Sequence, residues 1–451
     1  MGVRALFLIA VGVAGASAAN LRVGVATRVI TPELKPGRPV YIAGYGNNRV
    51  ATGVHDPLYA RCMAFDTGQR PLVICGVDLI GVFWDDVEKI RAQVPDAQVV
   101  VAALHDHEGP DTMGLWGPAE GRTGIDEQYM QMMIRRTAEA ARAAIADLRP
   151  ASVRLANVRS PELDSFINDT RPPDVHDSIV VALEAIDNRG QPIGTLLNWA
   201  NHPEALGSRN TLITADYSAG VCRRLEEQLG GTAVFINGAV GGMQSPGGAK
   251  IVDRATGRLF TEDTFERADY IGTRVAELAV DVLAKARETT FDAIVFREKL
   301  AAIPMTNPAF QAGMRAGVFA GRKQPTAAGE AQTPVGFLRL SNKGKPLLEV
   351  ALIPGELYPE LSVGGISRYP GADFPDAPAE PPIKPMMSAP FRMLFGLAND
   401  ENGYIIPKAE WDEHAPWLEN APRPWYGEVN SLGPDAAPII VQTLAQLVSA
   451  R

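Results

Sequence analysis

Two histidines, spaced two residues apart, follow directly after an apolar stretch of the sequence. Residues 104–112 read LHDHEGPDT, and residues 97–104 before them are apolar and rich in valine. Such a run is typical of a buried strand. In an extended chain the side chains of His105 and His107 point to the same side, and Gly109 and Pro110 then end the strand. The pattern predicts two imidazoles at the rim of a sheet, where they can bind a metal ion.

A third histidine stands in a similar setting. His202 lies in LLNWANHPEAL at 196–206, where an apolar strand predicted at 194–200 ends in a polar turn. Histidine is scarce in this chain, which has six, so its position after two predicted strands is informative. We therefore consider His202 a candidate metal ligand. The alternative is that His202 is an ordinary turn residue.

Two more polar residues follow later strands, but neither points to chemistry by itself. Glu356 follows the strand predicted at 347–353 and begins a predicted short helix, where a carboxylate is favoured in any case. Tyr404 lies in GLANDENGYIIP at 396–407 and is locally typical of a strand aromatic.

The elements that would hold these residues are strands and helices in partial alternation. The apolar pattern predicts five longer helices at 84–93, 126–148, 215–229, 263–287 and 436–450. Strands are predicted between them, beginning with 21–26 and a hairpin at 57–65 and 72–78. We expect a mixed α/β fold, a single large catalytic domain with central sheets flanked by helices and a metal site at the C-terminal ends of strands.

Composition narrows the class of protein. The chain has 451 residues, 46% of them hydrophobic, which is enough for one large core. Its net charge is -9 and it has no basic block, so nucleic acid is not an expected partner. Arg4, the apolar run at 5–15 and Ala-Ser-Ala at 16–18 predict a signal peptide at 1–18, a mature domain at 19–451 and a secreted or periplasmic location. No feature indicates an oligomeric state.

The three cysteines are too few for a disulfide framework. Cys62 and Cys75 lie on the two strands of the predicted hairpin and face each other if its turn is symmetric. A disulfide there is compatible with an exported protein, but two buried free thiols are the favoured interpretation. Cys222 has no partner in this scheme.

Taken together, the motifs resemble one family. GVATRVITP, IAGYGN, HDHEGPDT, LNWANHPE, a glycine-rich turn ending in SPGG, IPGE and GLANDENGY occur in this order between about 21 and 434. The series is similar to that of the neutral and alkaline non-lysosomal ceramidases. The chain resembles a short bacterial member of that family, without the C-terminal β-sandwich extension of the longer members.

The resemblance implies a zinc ion and a reaction. By motif, its ligands are His105, His202, Glu356 and Tyr404. Two imidazoles and one carboxylate leave such a site with a positive charge, which suits activation of a water molecule. The implied activity is hydrolysis of a linear amide bond in N-acylsphingosine or a related acyl amide, a small-molecule or lipid-like substrate. Transient contact with a membrane surface is a further expectation.

The resemblance also implies residues that assist the reaction. His107 corresponds to a proton donor or oxyanion partner, and Ser245 to a serine near the acyl carbon. An arginine belongs near the site, and Arg159 and Arg171 are both candidates.

The chain departs from the family pattern at two motifs. Longer members read HTHSGP where this chain has HDHEGP, so Asp106 and Glu108 are expected to add negative charge beside the site. The tyrosine-rich run before the ligand tyrosine is replaced by residues 400–403, which read DENG. These changes preserve the predicted metal ligands and bear on the choice of substrate.

Other functions compete with amide hydrolysis. A zinc-dependent esterase or lactonase would use the same residues, and an exported binding protein would use the histidines for structure alone. A metallo-β-lactamase-like site is disfavoured because Gly109 stands where its H-x-H-x-D-H pattern needs aspartate. A barrel-type amidohydrolase is disfavoured because the early strands form hairpins.

Apolar residues near the motifs suggest a place for a lipid chain. Trp116, Met386 and Met387 lie in predicted loops beside motif segments, and we expect them to form an apolar entrance. Two long loops, at 306–334 and 370–390, are candidate lids over the site.

Overall fold

The computed structural model describes residues 21–450, and the signal peptide predicted at 1–18 lies outside them. In this part of the chain the strands are β1 (Arg22–Val29), β2 (Gly53–Val54), β3 (Tyr59–Asp66), β4 (Leu72–Val77), β5 (Gln98–Ala103), β6 (Arg149–Val158), β7 (Val180–Asp187), β8 (Pro192–Trp199), β9 (Leu212–Ile213), β10 (Thr232–Asn237), β11 (Glu288–Thr289), β12 (Ala293–Pro304), β13 (Glu330–Asn342), β14 (Lys345–Leu352), β15 (Glu356–Leu357), β16 (Phe391–Phe395) and β17 (Tyr404–Ile405). The α-helices are α1 (Trp84–Ala92), α2 (Glu127–Ala146), α3 (Pro161–Asp164), α4 (Asp216–Leu229), α5 (Phe265–Leu283), α6 (Pro308–Arg315), α7 (Pro359–Val363), α8 (Ile383–Met386), α9 (Tyr426–Val429) and α10 (Ala436–Ser449).

Two sheets form the centre of the molecule. The larger has nine strands, in the order β10-β8-β7-β6-β1-β3-β4-β5 with β11 beside β6, and the smaller has the order β12-β13-β14-β16. Their facing sides share one apolar cluster, in which Phe65 of the larger sheet and Phe395 of the smaller are fully buried. Burying one such side chain contributes about 1.5–3 kcal/mol, so this interface is a major part of the core.

Helices cover the other faces of both sheets. α1 and α2 pack on the part of the large sheet that contains β3, β4 and β5. α4 and α5 cover the part that contains β7, β8 and β10, and α10 lies on the small sheet. α2 begins where Asp126 accepts hydrogen bonds from the amides of Gln128 and Tyr129, the usual role of an N-cap carboxylate. The expected mixed α/β fold, with central sheets flanked by helices, is confirmed.

The large sheet bends so that strands far apart in its order meet. β8 and β10 pair in parallel at one end of the sheet, and β4 and β5 pair in parallel at the other. The two ends touch at Gly76, where a Cβ atom would lie 2.7 Å from the carbonyl oxygen of Phe235. The side chain of Asn237 joins them by donating to the carbonyls of Leu104, at 2.9 Å, and Asn201, at 2.8 Å. The segments after β5 and β8 are therefore neighbours.

The hairpin of β3 and β4 carries a disulfide bond. Cys62 and Cys75 are directly paired in the register of the two strands, as expected, and their sulfurs are bonded. The interpretation of these residues as free thiols is therefore wrong. Direct cross-strand pairing brings the two Cβ atoms close enough for a bond, which the sequence pattern alone did not decide. Cys222 is a buried free thiol.

No helix among residues 21–450 combines the length and the apolar character needed to cross a bilayer.

Candidate metal centre and active site

Three imidazoles and one carboxylate meet where the ends of the large sheet converge. His105 follows β5 and His202 follows β8, while Glu356 forms β15 after β14. Ring nitrogens of His105, His107 and His202 lie within 4.8 Å of one another, and all three residues are buried. The Nε2 atoms of His105 and His202 each lie 3.2 Å from Oε2 of Glu356. The site lies at the C-terminal ends of β5, β8 and β14, as predicted.

Backbone carbonyls fix the tautomers of two of these histidines. Nδ1 of His105 lies 2.9 Å from the carbonyl oxygen of Ile80, and Nδ1 of His202 lies 2.7 Å from that of Gln244. A carbonyl oxygen only accepts hydrogen bonds, so each Nδ1 carries the proton. In the neutral ring the lone pair is then at Nε2, the nitrogen closer to Glu356, which is the arrangement usual for histidines that bind a metal.

The donor set fits a zinc ion. Ligand atoms of a tetrahedral zinc site with bonds of about 2.1 Å are roughly 3.4 Å apart, close to the 3.2 Å that separates each Nε2 from Oε2 of Glu356. Tyr404 lies beside Glu356, because β15 and β17 pair these two residues in parallel, and the tyrosine side chain hydrogen bonds to the carboxylate. The four residues predicted as ligands are thus brought together.

The local charges suit a cation. Burial disfavours the ionised form of Glu356, but His105 and His202 more than offset this and lower its pKa to about 2. Burial also acts against the charged form of His202, yet its hydrogen bond with Glu356 raises the pKa above the ordinary value. Burial, followed by the charge of Glu356, raises the pKa of Tyr404 well above its ordinary value. A buried carboxylate facing two imidazoles is therefore the centre of the site.

His105 occupies an unusual backbone conformation. Its φ of 65° is in the left-handed region, which costs a residue with a side chain about 1–3 kcal/mol. The H-x-H segment is therefore not extended, contrary to the expectation that alternation along a strand aligns the two rings. A left-handed turn at His105 brings them to the same cluster instead. Gly44 makes room for His107, because a Cβ atom at Gly44 would overlap the imidazole.

His107 borders the centre without facing Glu356. Its Nδ1 lies 3.3 Å from Oε2 of Glu204, a carboxylate that also accepts a hydrogen bond of 3.0 Å from the hydroxyl of Tyr45. Neither ring nitrogen of His107 forms a hydrogen bond within residues 21–450. Burial, followed by the charges of His105 and His202, lowers the pKa of His107 well below its ordinary value. A neutral imidazole with unused hydrogen-bonding capacity thus faces the cavity, and its proton-donor role stays a prediction.

The two acidic residues of the HDHEGP motif turn away from the centre. Asp106 accepts a hydrogen bond from the amide of Glu108, and burial raises its pKa well above the ordinary value. Burial raises the pKa of Glu108 to about 8, although Arg49 lies 3.4 Å from its carboxyl group and Asn210 donates to it. The negative charge expected from these residues is therefore reduced by burial, which favours their neutral forms.

Ser245 lies near Glu204, the residue whose carboxylate is beside His107. Its Oγ accepts a hydrogen bond of 2.8 Å from the amide of Gly247. A Cβ atom at Gly247 would lie 2.9 Å from this Oγ and 3.9 Å from Oε1 of Glu204, which places the serine beside that carboxylate. The loop that carries Ser245 also supplies the Gln244 carbonyl that orients His202. The structure thus places Ser245 near the site, and contact with an acyl carbon stays a prediction.

The two candidate arginines lie in very different places. Arg159 is exposed in the segment directly after β6. Arg171 is buried, forms an ion pair of 2.6 Å with Glu428 and lies over the ring of Tyr358, 5.4 Å from its centroid. The Tyr358 ring lies 6.1 Å from that of Tyr404. Arg171 thus approaches the site from behind the tyrosines, and the choice between the two arginines stays a prediction.

An apolar cavity opens above the histidines. Its walls include Phe83, Met113 and Phe319, and Trp116 lines it as expected. Met386 and Met387 do not belong to the described cavity lining, so their assignment to the entrance is wrong. Met387 is buried in the core beneath the small sheet, and Met386 packs at the edge of the same cluster.

The long loop at 306–334 forms part of the cavity wall. It contains α6, which contributes Phe310 and Met314, and it continues through Phe319. The loop is held down by Arg322, whose Nε lies 2.5 Å from Asp86 and whose Nη1 lies 2.8 Å from Glu127. The segment at 370–390, the other candidate lid, supplies none of the residues that the structure places around this cavity.

Several residues of the site are absent from the sequence predictions. Tyr45, Glu204 and Glu401 line the cavity, and the carbonyls of Ile80 and Gln244 hold the histidines. Tyr45 and Glu204 lie within the GYG and HPE motifs, which gave a usable signal. The carbonyl partners give no signal in the sequence, because any residue provides a carbonyl oxygen.

Two solved structures that share this fold are ceramidases. The chain superposes on the neutral ceramidase from Pseudomonas aeruginosa with a TM-score of 0.70 and 18% identity, over 95% of this chain and 74% of that one. A ceramidase complexed with C2 gives a TM-score of 0.70 and 16% identity, over 95% of this chain and 75% of that chain. No family model and no curated protein matches the sequence. The resemblance to neutral ceramidases is thus confirmed at the level of the fold.

Proposed function

We propose that this protein is a zinc-dependent hydrolase that cleaves a linear amide bond, as a ceramidase does, in N-acylsphingosine or a related acyl amide. The observation that carries the proposal is the placement of two Nε2 atoms, from His105 and His202, around Oε2 of Glu356 at 3.2 Å each. This centre lies beneath an apolar cavity, in a fold shared with ceramidases.

The residues divide into those that hold the metal and those that handle the substrate. His105, His202, Glu356 and Tyr404 would hold zinc, which when bound lowers the pKa of water and polarises a carbonyl group. His107 has a ring nitrogen free to donate to the developing oxyanion or to the leaving amine.

The cavity supports an acyl amide as substrate. Phe83, Met113 and Phe319 supply the apolar surface that an acyl chain would cover on binding. Leu115 and Tyr426 line the cavity and are 38% and 52% exposed, so apolar surface continues to its rim. This rim supports transient contact with a membrane surface, from which a lipid-like substrate would enter.

Export of the protein is part of the proposal. A disulfide between Cys62 and Cys75 supports an oxidising compartment outside the cytosol, since such bonds rarely persist in reducing surroundings. The predicted signal peptide at 1–18 agrees with a secreted or periplasmic location.

Metal content and hydrolysis test the proposal together. The purified protein is expected to contain one zinc ion per chain and to release fatty acid from N-acyl amides. Both properties should disappear with a chelator and return when zinc is added. His202→Ala should lose both, whereas the matched control His414→Ala, at an exposed histidine outside the site, should lose neither.

The other outcomes identify the alternatives. Cleavage of acyl esters or lactones without cleavage of the matching amides would identify an esterase or lactonase. A protein that purifies without stoichiometric zinc and cleaves neither class would be a binding protein.

A further inference from the structure

One wall of the cavity is polar and rigidly held. It includes residues 401–403, which belong to the segment at 400–403 that departs from the family pattern. Asp400 pairs with Lys323 and accepts a hydrogen bond of 2.7 Å from Thr333. The side-chain amide of Asn402 donates to Thr333 Oγ1, at 2.8 Å, and to the carbonyl of Pro354, at 2.6 Å. These contacts fix the orientation of the segment.

Two acceptor oxygens on this wall lack donors. Oε1 of Glu401 accepts a hydrogen bond of 2.6 Å from the amide of Gly403, but Oε2 finds no donor within the described chain. The same holds for Oδ1 of Asn402 across residues 21–450. Both residues line the cavity, and they are only 5% and 3% exposed. Buried acceptors without donors cost free energy of folding and are uncommon. Two of them in one wall therefore indicate that a ligand supplies the hydrogen-bond donor.

The backbone opposite makes room for the Glu401 side chain. A Cβ atom at Gly81 would lie 3.1 Å from Cγ of Glu401 and 2.6 Å from Sδ of Met113. The preceding residue, Ile80, supplies the carbonyl that orients His105. The side chain of Glu401 is therefore packed against the same backbone segment that positions a predicted metal ligand.

We propose that Glu401 and Asn402 form a subsite that accepts hydrogen bonds from a hydroxyl or ammonium group of the substrate, beside the amide that is cleaved. The inference rests on the proposed amide hydrolysis and specifies the class of acyl amide. The fatty chain lies along Phe83 and Phe319, and the donor group faces residues 401 and 402.

Three amides of equal size test the subsite. Lauroyl amides of ethanolamine, ethylenediamine and propylamine share the acyl chain and differ in carrying a hydroxyl, an ammonium or a methyl group. We expect kcat/KM to be at least about tenfold higher for one or both donor-bearing amides than for the propylamide, the effect of one hydrogen bond to a buried polar group. The preferred amide tells which donor the subsite takes.

Substitutions of Glu401 test whether the preference for donor-bearing amides depends on this wall of the cavity. Glu401→Met keeps the side-chain length and removes both oxygens, so the ratio between donor-bearing and donor-free amides should fall to about one. Glu401→Gln keeps an acceptor oxygen and serves if the methionine variant does not fold. The matched control is Glu380→Gln, at a buried glutamate outside the cavity that also has one oxygen bonded to a backbone amide and one without a donor in the described chain. This control should keep the wild-type ratio.

Failure of the subsite and failure of the proposed function give different results. Equal rates on all three amides in the wild type, or an unchanged ratio in Glu401→Met, would overturn the subsite while leaving amide hydrolysis intact. No turnover of any of the three amides, with zinc bound, would instead overturn the proposed function.

Discussion

Replacing Arg171 by methionine should destabilise the protein mainly through charge. The guanidinium is 2% exposed, and its partner Glu428 is completely buried at 2.6 Å. Arg171 also donates to the backbone carbonyl of Glu410 at 2.7 Å. Methionine fills similar space but leaves the Glu428 carboxylate without a cation. Breaking a buried pair in this way costs about 3–5 kcal/mol, most of it from the charge that is left behind.

The loss of stability should depend on pH. Burial raises the pKa of Glu428 to about 7, although Arg171 lowers it, and Glu410 behaves in the same way. A carboxyl group whose pKa is higher in the folded state favours folding at low pH, and its contribution falls as the pH rises from the unfolded value through the folded one. Removing Arg171 raises these folded pKa values further, so the added loss appears above about pH 7. Below about pH 5 the carboxyl groups are neutral in both variants.

Urea denaturation of wild type and Arg171→Met gives the test. We expect a decrease in the free energy of unfolding of about 3–5 kcal/mol near pH 8 and of about 1–2 kcal/mol near pH 5, where lost packing and the hydrogen bond to Glu410 remain. Arg159→Met, at the exposed candidate, should change stability by less than about 0.5 kcal/mol at either pH. Equal losses at the two pH values would refute the charge argument. A large fall in kcat with no change in stability would show that Arg171 acts on the substrate instead.

Three further predictions concern the metal, the disulfide and the cavity. His105→Ala should lose zinc and activity, whereas His107→Ala should keep most of its zinc and lose at least about a hundredfold in rate; equal zinc loss by elemental analysis would contradict this division. Replacing both Cys62 and Cys75 by alanine should lower the free energy of unfolding by about 3 kcal/mol, because the bond closes a loop with a sequence separation of 13. A reducing agent should reproduce that shift in the wild type, and an unchanged urea midpoint in the double variant would rule it out. Phe319→Asp should reduce kcat/KM for a lauroyl amide by at least about tenfold relative to the acetyl amide, since a charge replaces apolar surface in the cavity. Met386→Asp is the control, and an equal change in the two variants would show that the effect is not local to the cavity.

Periodic apolar patterns predicted most of the regular structure. The helices expected at 126–148 and 263–287 correspond to α2 and α5, and the hairpin at 57–65 and 72–78 corresponds to β3 and β4. The loop expected at 306–334 instead contains α6 and the first part of β13. Three prolines and four glycines in this stretch obscure its pattern. α6 is a short helix whose N-cap residue is Asn307, and the side chain of Asn307 accepts hydrogen bonds from the amides of Ala309 and Phe310.

Local sequence motifs indicated the predicted metal ligands more readily than the residues of the cavity wall. His105 and His202 each follow an apolar strand, so the sequence around them carries a signal of its own. Met386 and Met387 show the opposite case, because an apolar residue in a predicted loop has no local feature that distinguishes core from cavity. α8 packs on α7 and α10, and this contact directs Met387 inward.

The sequence by itself determined the strands, the residue types at their ends and the motif order that resembles ceramidases. Alternating or continuous apolar patterns and turn residues are local properties of the sequence. They can be recognised without knowledge of the fold. Only the tertiary structure decided that the ends of β5 and β8, at opposite sides of the sheet order, meet around Glu356. It also decided that Glu401 faces the cavity. Both outcomes depend on the bend of the large sheet and on close backbone contacts at Gly76 and Gly81, interactions between segments remote in sequence that no local pattern encodes.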